Sequence, residues 1–270
     1  MHISEDLIDD IKNQRVILFA GAGTSMNLGL PSWSKLIEHM ADEMGYEKEK
    51  FKTLGNYLEL AEFYKIKKGS LGSLRSWMDT HFHSNSIQIQ KSNIHKLIVD
   101  LEFHKIYTTN YDRWFEIAYD YYGKSYDKIC SIYDFTQTRS NTPQIIKYHG
   151  DFDDDSSIIL TETSFFNRLS LDSPLDMKLK SDSLGKSILF IGYSLSDIDI
   201  RLLLYKLQLI WGNSIETNMQ PRSYIFLSNN NPIQKTVLES RNIKVMVNDE
   251  NDQGKALELF LRTLYEKTNH

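Results

Sequence analysis

The segment Val16–Ser25 constrains the fold more than any other part of this sequence. It begins with five apolar residues and continues as Gly-Ala-Gly-Thr-Ser. A short apolar run that ends in turn residues predicts a buried strand, and glycine permits a sharp turn and close approach to a ligand. A helix start after such a turn would offer N–H groups and the positive end of a dipole to phosphate oxygens. The segment therefore favours a nucleotide, with NAD as the first choice, although Met26 stands where the fingerprint G-x-G-x-x-G has its third glycine.

Buried-strand patterns recur along the chain and alternate with helical ones. After the first strand they are predicted in His104–Asp112, Gln144–Gly150, Ser157–Thr161, Ser187–Ser194, Tyr224–Leu227 and Lys244–Val247. The acidic stretch from Asp153 is typical of a solvated hairpin turn between the second and third of these runs. Alternation of this kind predicts an α/β, Rossmann-like, doubly wound and mainly parallel sheet, with ligands beyond the carboxyl ends of its strands.

One long stretch of the chain carries only helical patterns. The segment Pro31-Ser-Trp-Ser34 supplies a hydroxyl cap where a helix would begin, and helical spacing then persists from about Glu38 to Val99. We therefore predict an inserted helical subdomain over residues 38–100, within a Rossmann-like nucleotide-binding lobe formed by residues 1–37 and 101–270.

Composition excludes several function classes. The 270 residues carry a net charge of −5, which argues against direct nucleic-acid binding. The single cysteine, Cys130, excludes an intrachain disulfide and a four-cysteine zinc module, and this favours a reducing, cytoplasmic compartment. We expect neither a signal peptide nor a membrane span. His81 and His83 lack an evident set of further ligands, so we expect no metal.

Four signatures, taken in order, resemble the sirtuin family of NAD-consuming enzymes. They are Gly21–Ser25, Thr108–Asp112, Tyr148–Gly150 and Ile191–Ser194. The second signature is usually T-Q-N-x-D in that family, and here Thr109 replaces the glutamine. The resemblance spans roughly residues 16–227 and implies a Rossmann-like NAD site with a smaller lobe nearby.

The resemblance implies a role for each matching residue. Asn110 would position a water beside the nicotinamide ribose, Asp112 would hold the nicotinamide end, and His149 would act as general base. The implied catalytic residues are Asn110 and His149, and the implied NAD-binding residues are Gly21, Ala22, Gly23, Thr24, Ser25, Thr108, Asp112, Gly192 and Ser194. Structural readings of the same residues stay open: the Asn-Tyr-Asp sequence could cap a helix, His149 could end a strand, and Asp197 and Asp199 are better explained as helix caps than as ligand contacts.

Two departures from deacylating sirtuins bear on the reaction. Those enzymes carry a zinc ribbon of paired C-x-x-C motifs and a G-I-P-D-F-R-like segment, whereas this chain has one cysteine and reads Gly29-Leu-Pro-Ser-Trp33. The pattern is more similar to bacterial sirtuin-like effectors of antiphage defence. That resemblance implies an NAD+ hydrolase that releases nicotinamide and ADP-ribose. It also implies control by homo-oligomerisation, a regulatory partner protein or a fused sensor domain.

Other functions remain open at this point. A noncatalytic NAD or ADP-ribose sensor would keep the glycine turn without needing Asn110 or His149 as reactive groups. An NAD-dependent protein deacylase is a weaker possibility. A dehydrogenase is disfavoured because Asp42 and Glu43 fall on a predicted helix, whereas the usual ribose-binding acid ends a second strand.

Overall fold

A seven-stranded parallel sheet forms the centre of the molecule. The structure is a computed structural model that describes residues 3–193, 198–211, 222–248 and 250–269. The strands lie in the order β3-β4-β2-β1-β5-β6-β7, and each neighbouring pair is parallel. They are β1 (Val16–Ala20), β2 (Lys105–Thr108), β3 (Asp127–Ile129), β4 (Gln144–Lys147), β5 (Ser187–Ile191), β6 (Ser223–Leu227) and β7 (Ile243–Val247).

Twelve α-helices are described alongside these strands. They are α1 (Glu5–Lys12), α2 (Trp33–Met44), α3 (Lys48–Lys52), α4 (Tyr57–Lys68), α5 (Gly72–Phe82), α6 (Asn93–Asp100), α7 (Trp114–Tyr121), α8 (Glu162–Arg168), α9 (Pro174–Ser183), α10 (Ile198–Trp211), α11 (Pro232–Glu239) and α12 (Gln253–Thr268). None of these described helices combines the length and the apolar character that crossing a membrane requires.

The central strand β1 buries side chains on both of its faces. Leu18 and Ala20 belong to a core shared with α1, α6, α7 and α12. Ile17 and Phe19 belong to a second core, shared with α9, α10 and α11. Successive side chains of a strand point to opposite faces of the sheet, so a strand covered on both faces has to be apolar throughout. This two-sided covering confirms the predicted Rossmann-like, doubly wound α/β fold.

The helical stretch forms a third core of its own. Apolar side chains from α2 to α5 pack together with Phe152, Ile158 and Leu160. Helix α6, by contrast, packs on α7 and α12 against the sheet. The helices expected between residues 38 and 100 are therefore present, and the exact limits of a separate lobe stay a prediction.

The predicted hairpin after β4 is wrong. The chain turns at Gly150 with φ +97°, and residues 155–157 form a 3₁₀ turn. Residues 157–161 form no strand: the N–H of Ile159 donates to the His149 carbonyl at 3.0 Å, and Ile158 and Leu160 pack into the helical core. Short strand β3, which the sequence analysis missed, instead pairs with β4.

A buried histidine joins α6 to the sheet core. His95 is fully enclosed, and its ring lies 5.4 Å from that of Phe115. Its Nδ1 is 2.7 Å from Ser92 Oγ, which also accepts a hydrogen bond from Asn27 Nδ2 at 3.0 Å. No described residue partners its Nε2. Burial lowers the pKa of His95 to about 3, because a charged imidazole would be desolvated there.

The burial of His95 predicts a loss of stability in acid. Between the unfolded pKa of about 6.5 and the folded pKa, the unfolded chain binds one more proton, so the free energy of unfolding falls as pH falls through this window. At pH 5 the loss from this group is about 2 kcal/mol relative to pH 7.5. Urea unfolding of wild type and His95→Asn at both pH values measures it. We expect the wild type to lose more stability than the variant; equal losses would contradict the prediction.

Candidate functional site

The carboxyl ends of β1 and β5 meet where the direction of the chain connections reverses. Successive connections from β1 lead towards β2 on one side, and those from β5 lead towards β6 on the other. Ligands of open α/β sheets bind at such a reversal. Gly21 follows β1 and Gly192 follows β5, so two of the sequence signatures come together at this crevice.

The glycines at this crevice contact one another. Gly21 N–H donates to the Ile191 carbonyl and Gly23 N–H donates to the Gly192 carbonyl, both at 2.9 Å. A Cβ at residue 21 would lie 2.7 Å from Gly192 O, and one at residue 23 would lie 2.7 Å from Gly192 Cα. Gly192 itself has φ +72°. These glycines therefore allow the turn after β1 and the turn after β5 to pack closely against each other.

The N–H groups of the glycine turn are largely used within the protein. Besides the two glycine donors, Thr24 N–H donates to the Gly21 carbonyl and Ser25 N–H to the Ala22 carbonyl, both at 3.0 Å. Residues 22–24 and 26–28 are 3₁₀ turns, and α2 begins only at Trp33. The helix expected after Pro31 is therefore present, but most N–H groups of the glycine turn itself are occupied within the protein. The Ala22 N–H is the one in this turn for which the described residues provide no acceptor.

Asn110 lies against the hydroxyl groups of the glycine turn. Its Nδ2 donates to Thr24 Oγ1 at 3.2 Å and to Ser25 Oγ at 3.4 Å. The residue is only 6% exposed, and no described residue donates a hydrogen bond to its Oδ1. A buried amide oxygen without a donor costs free energy, so this atom is suited to accept a hydrogen bond from a water or a ligand hydroxyl.

Two further residues of the second signature make internal hydrogen bonds. Thr108 Oγ1 donates to the Ala20 carbonyl at 2.9 Å and accepts the Asn110 N–H at 3.0 Å. Asp112 Oδ1 accepts the Trp114 N–H at 3.1 Å, in the first turn of α7. Asp112 therefore forms a local turn just before α7, whose N-cap position is Arg113 and carries no side-chain cap hydrogen bond. Thr108 fixes the turn in which Asn110 lies.

His149 lies just beyond β4, which neighbours β2. It is 6% exposed, and its ring centroid is 5.7 Å from that of Tyr148 and 5.6 Å from that of Phe165. Tyr148 and His149 line a small pocket that Arg168, Leu169, Leu171, Leu202 and Leu203 complete. At Gly150 a Cβ would lie 2.2 Å from the Ser157 carbonyl oxygen. Glycine is required there for the turn that follows the histidine.

Two residues in or next to these signatures make contacts that their sequence patterns did not indicate. Tyr193 OH donates to the Ala20 carbonyl at 3.1 Å and lies 3.0 Å from Thr109 Oγ1. Because Thr109 stands where the second signature usually has a glutamine, its hydroxyl pairs with the Tyr193 hydroxyl at the end of β1. Lys147 is fully buried at the end of β4. The signal for Lys147 was present in the sequence, since a lysine follows two isoleucines in a strand pattern.

The described residues do not include every residue singled out from the sequence. Ser194 and Asp197 lie outside the described residues, as does the side chain of Asp199. Within the described ranges, no group of three or more His, Cys, Asp or Glu side chains could hold a metal ion. Burial raises the pKa of Cys130 to about 12, so its thiol is protonated at neutral pH and is not a nucleophile.

The contact between glycines predicts a position-specific effect of adding one methyl group. Gly185 and Gly192 both have positive φ, but a Cβ at residue 185 meets no atom within 4 Å, whereas one at residue 192 lies 2.8 Å from Gly21 O. Gly185→Ala should cost about 1–2 kcal/mol of unfolding free energy through its backbone conformation. Gly192→Ala should cost about 1–3 kcal/mol more. Urea unfolding measures both, and equal costs would contradict the contact.

The sequence of this chain is similar to those of known proteins. Over 206 residues, the chain is 28% identical to an NAD(+) hydrolase ThsA of Bacillus cereus (strain MSX-D12), with 76% of this chain and 42% of the relative covered. An NAD(+) hydrolase ThsA of Enterococcus faecium is 32% identical over 203 residues, 72% of this chain and 40% of the relative. The chain spans about two fifths of the length of these curated relatives.

A solved structure shares the fold. The crystal structure of a Sir2 homologue–NAD complex superposes with a TM-score of 0.51 at 13% identity, over 99% of this chain and 96% of that chain. A family model described as SIR2-like domain matches residues 104–246, just over half of the chain. This range contains β2, β4 and β5 together with Asn110, His149 and Gly192. The chain therefore belongs to the SIR2-like domain family.

Proposed function

We propose that this chain is an NAD+ glycohydrolase, which cleaves the bond between nicotinamide and ribose and releases nicotinamide and ADP-ribose. One observation carries the proposal. The buried amide of Asn110 lies against Thr24 and Ser25 of the glycine turn, and its Oδ1 is available to a hydrogen-bond donor of the substrate or of a water. The names of the ThsA relatives support the same reaction.

The proposed substrate position follows from the sheet. NAD would lie over the crevice between β1 and β5, with its phosphates near the Ala22 N–H and the hydroxyl side chains of the turn. Its nicotinamide ribose would reach Asn110. The proposed binding residues remain Gly21, Ala22, Gly23, Thr24, Ser25, Thr108, Asp112, Gly192 and Ser194. For the three glycines, the proposed contribution is to hold the backbone in place.

The proposed reaction uses two side chains. When the C1′–N bond breaks, its electron pair leaves with nicotinamide and positive charge develops on the ribose. Asn110 Oδ1 accepts a hydrogen bond from the attacking water, which forms the new C1′–O bond. His149 accepts the proton that this water loses, because a neutral imidazole ring has a nitrogen that can act as a general base. The proton then passes to solvent, and the histidine returns to its starting state.

The biological setting is also part of the proposal. The Bacillus subtilis relative named defense-associated sirtuin 2 aligns with 90% of this chain at 23% identity. We place the chain in antiphage defence through NAD depletion, acting in the cytoplasm and without direct contact to nucleic acid. Unregulated depletion of NAD would harm the cell. Control by homo-oligomerisation, by a regulatory partner or by a fused sensor domain is therefore part of this proposal.

The first experiment is to measure NAD consumption and to identify the products by chromatography, over a range of protein concentrations. Nicotinamide and ADP-ribose in equal amounts support the hydrolase. A steep dependence of specific activity on protein concentration supports activation by assembly. NAD that binds but stays intact at every concentration would leave a noncatalytic sensor or an enzyme that requires its regulatory partner, and O-acyl-ADP-ribose formed from an acylated peptide would identify a deacylase.

Removal of the proposed base should abolish most turnover. We expect His149→Ala to lower kcat by about 10²–10⁴-fold, the usual contribution of a general base. His81→Ala is the matched control, because His81 is an exposed histidine of α5 that stacks on Trp77. Initial rates of nicotinamide release measure the effect. Unchanged turnover in a folded His149→Ala protein would remove this residue from the mechanism.

Removal of the proposed water-positioning amide should act on the same step. Asn110→Ala should lower kcat by about 10²-fold or more, because an attacking water without orientation loses much of its effective concentration. Asn93→Ala is the control: Asn93 is exposed and donates to Glu258 at 3.0 Å. Circular dichroism establishes that each variant is folded. A kcat equal to that of wild type in Asn110→Ala would contradict the proposed role.

A further inference from the structure

Lys147 is a fully buried cation between the two segments that carry the proposed catalytic residues. It is 0% exposed and stands two residues before His149. Its Nζ donates to the backbone carbonyl of Asp112, two residues after Asn110. In the sheet, Lys147 is paired with Thr108. One side chain therefore connects the backbone after β2 with the end of β4.

The carboxylates near Lys147 lie farther away than this carbonyl. Glu116 Oε1 is 3.5 Å from Nζ, and Asp151 Oδ2 is 3.8 Å away. Asp151 Oδ2 lies closer, at 3.0 Å, to Lys128 Nζ. Neither carboxylate oxygen of Glu116 has a hydrogen-bond partner among the described residues, and burial raises the pKa of Glu116. The shortest contact of the Lys147 ammonium is thus with the backbone.

Burying an ammonium group costs desolvation free energy that an apolar side chain at the same position would not cost. Replacing buried ionic groups by apolar side chains of similar volume is often neutral or stabilising. The two residues before Lys147 in β4 are isoleucines with no exposed surface, so the strand already supplies an apolar surface to both sides of the sheet. An apolar residue at position 147 would continue that surface, but it could not hold the Asp112 carbonyl.

We infer that Lys147 is a positioning residue, which fixes the Asn110–Asp112 segment relative to the His149 segment. The inference rests on the proposed function for its effect on catalysis. Lys147 is not a catalytic residue, because its ammonium is fully enclosed and ends on the backbone of Asp112. Without it, residues 110–112 would lose their attachment to β4, while the glycine contact between β1 and β5 would be unchanged.

The inference separates turnover from binding of the part of NAD that lies over the glycine turn. We expect Lys147→Met to lower kcat about ten- to hundredfold, since small displacements of catalytic groups have effects of this size. The affinity for ADP, which lacks both nicotinamide and the ribose that would reach Asn110, should stay within about twofold. Glu116→Gln is the matched control: it removes the neighbouring carboxylate and leaves the Lys147–Asp112 hydrogen bond, and kcat should stay within about threefold of wild type.

Lys147→Met leaves buried Glu116 without its closest cation and could fail to fold for that reason. The double variant Lys147→Met/Glu116→Gln removes both charges, so no unpaired buried carboxylate is left to prevent folding. We expect it to fold and to retain the kcat defect of the single variant. A folded double variant with the turnover of wild type would overturn the inference and leave Lys147 a structural residue only.

Amide hydrogen exchange tests the inference independently of NAD cleavage. In the double variant, peptides covering residues 109–114 should exchange about tenfold faster than in wild type, while peptides covering residues 21–25 should exchange at an unchanged rate. Unchanged exchange at residues 109–114 would also overturn the inference. If wild type binds but does not cleave NAD, the proposed activity is absent in the chain alone, and the exchange measurement still decides whether Lys147 positions this segment.

Discussion

The contact between the backbones of Gly21, Gly23 and Gly192 is the constraint on which the proposed site depends. Three glycines allow the ends of β1 and β5 to approach so closely that the two turns share hydrogen bonds. This contact fixes the position of Thr24 and Ser25, and these two hydroxyls in turn receive the amide of Asn110 from the end of β2. Any larger side chain at the centre of this arrangement would displace all three strand ends together.

The sequence predicted the central elements because their patterns are local. The apolar runs of β1 and β5 end in glycine, and burial on both faces of a parallel sheet requires such runs. The hydroxyl cap predicted for α2 is present, since Ser32 accepts the Lys35 N–H at 3.4 Å. These features depend on neighbours within a few residues, so the order of residues is sufficient to identify them.

The remaining differences come from contacts between distant parts of the chain. Residues 157–161 have the composition of a strand, but the turn at Gly150 directs Ile158 and Leu160 into the helical core. Strand β3 has only three residues, of which Ile129 is fully buried. Three residues are too few to show the alternation of apolar and polar side chains that identifies a strand. Which N–H groups of the glycine turn already have acceptors also depends on the end of β5, about 170 residues away along the chain. The sequence therefore indicated that the glycine turn, Gly192 and Asn110 come together, but not which of their atoms are available.

Strand β3 also bears on how copies of this chain could associate. An edge strand with unpaired backbone groups is a template for pairing with another sheet. β3 is short, and both of its first two side chains are charged: Asp127 binds Arg139, and Lys128 binds Asp151 and Asp153. Charged side chains on a short edge disfavour extension of the sheet by a second chain. At this edge of the sheet, a second copy of the chain would therefore find no favourable strand to extend.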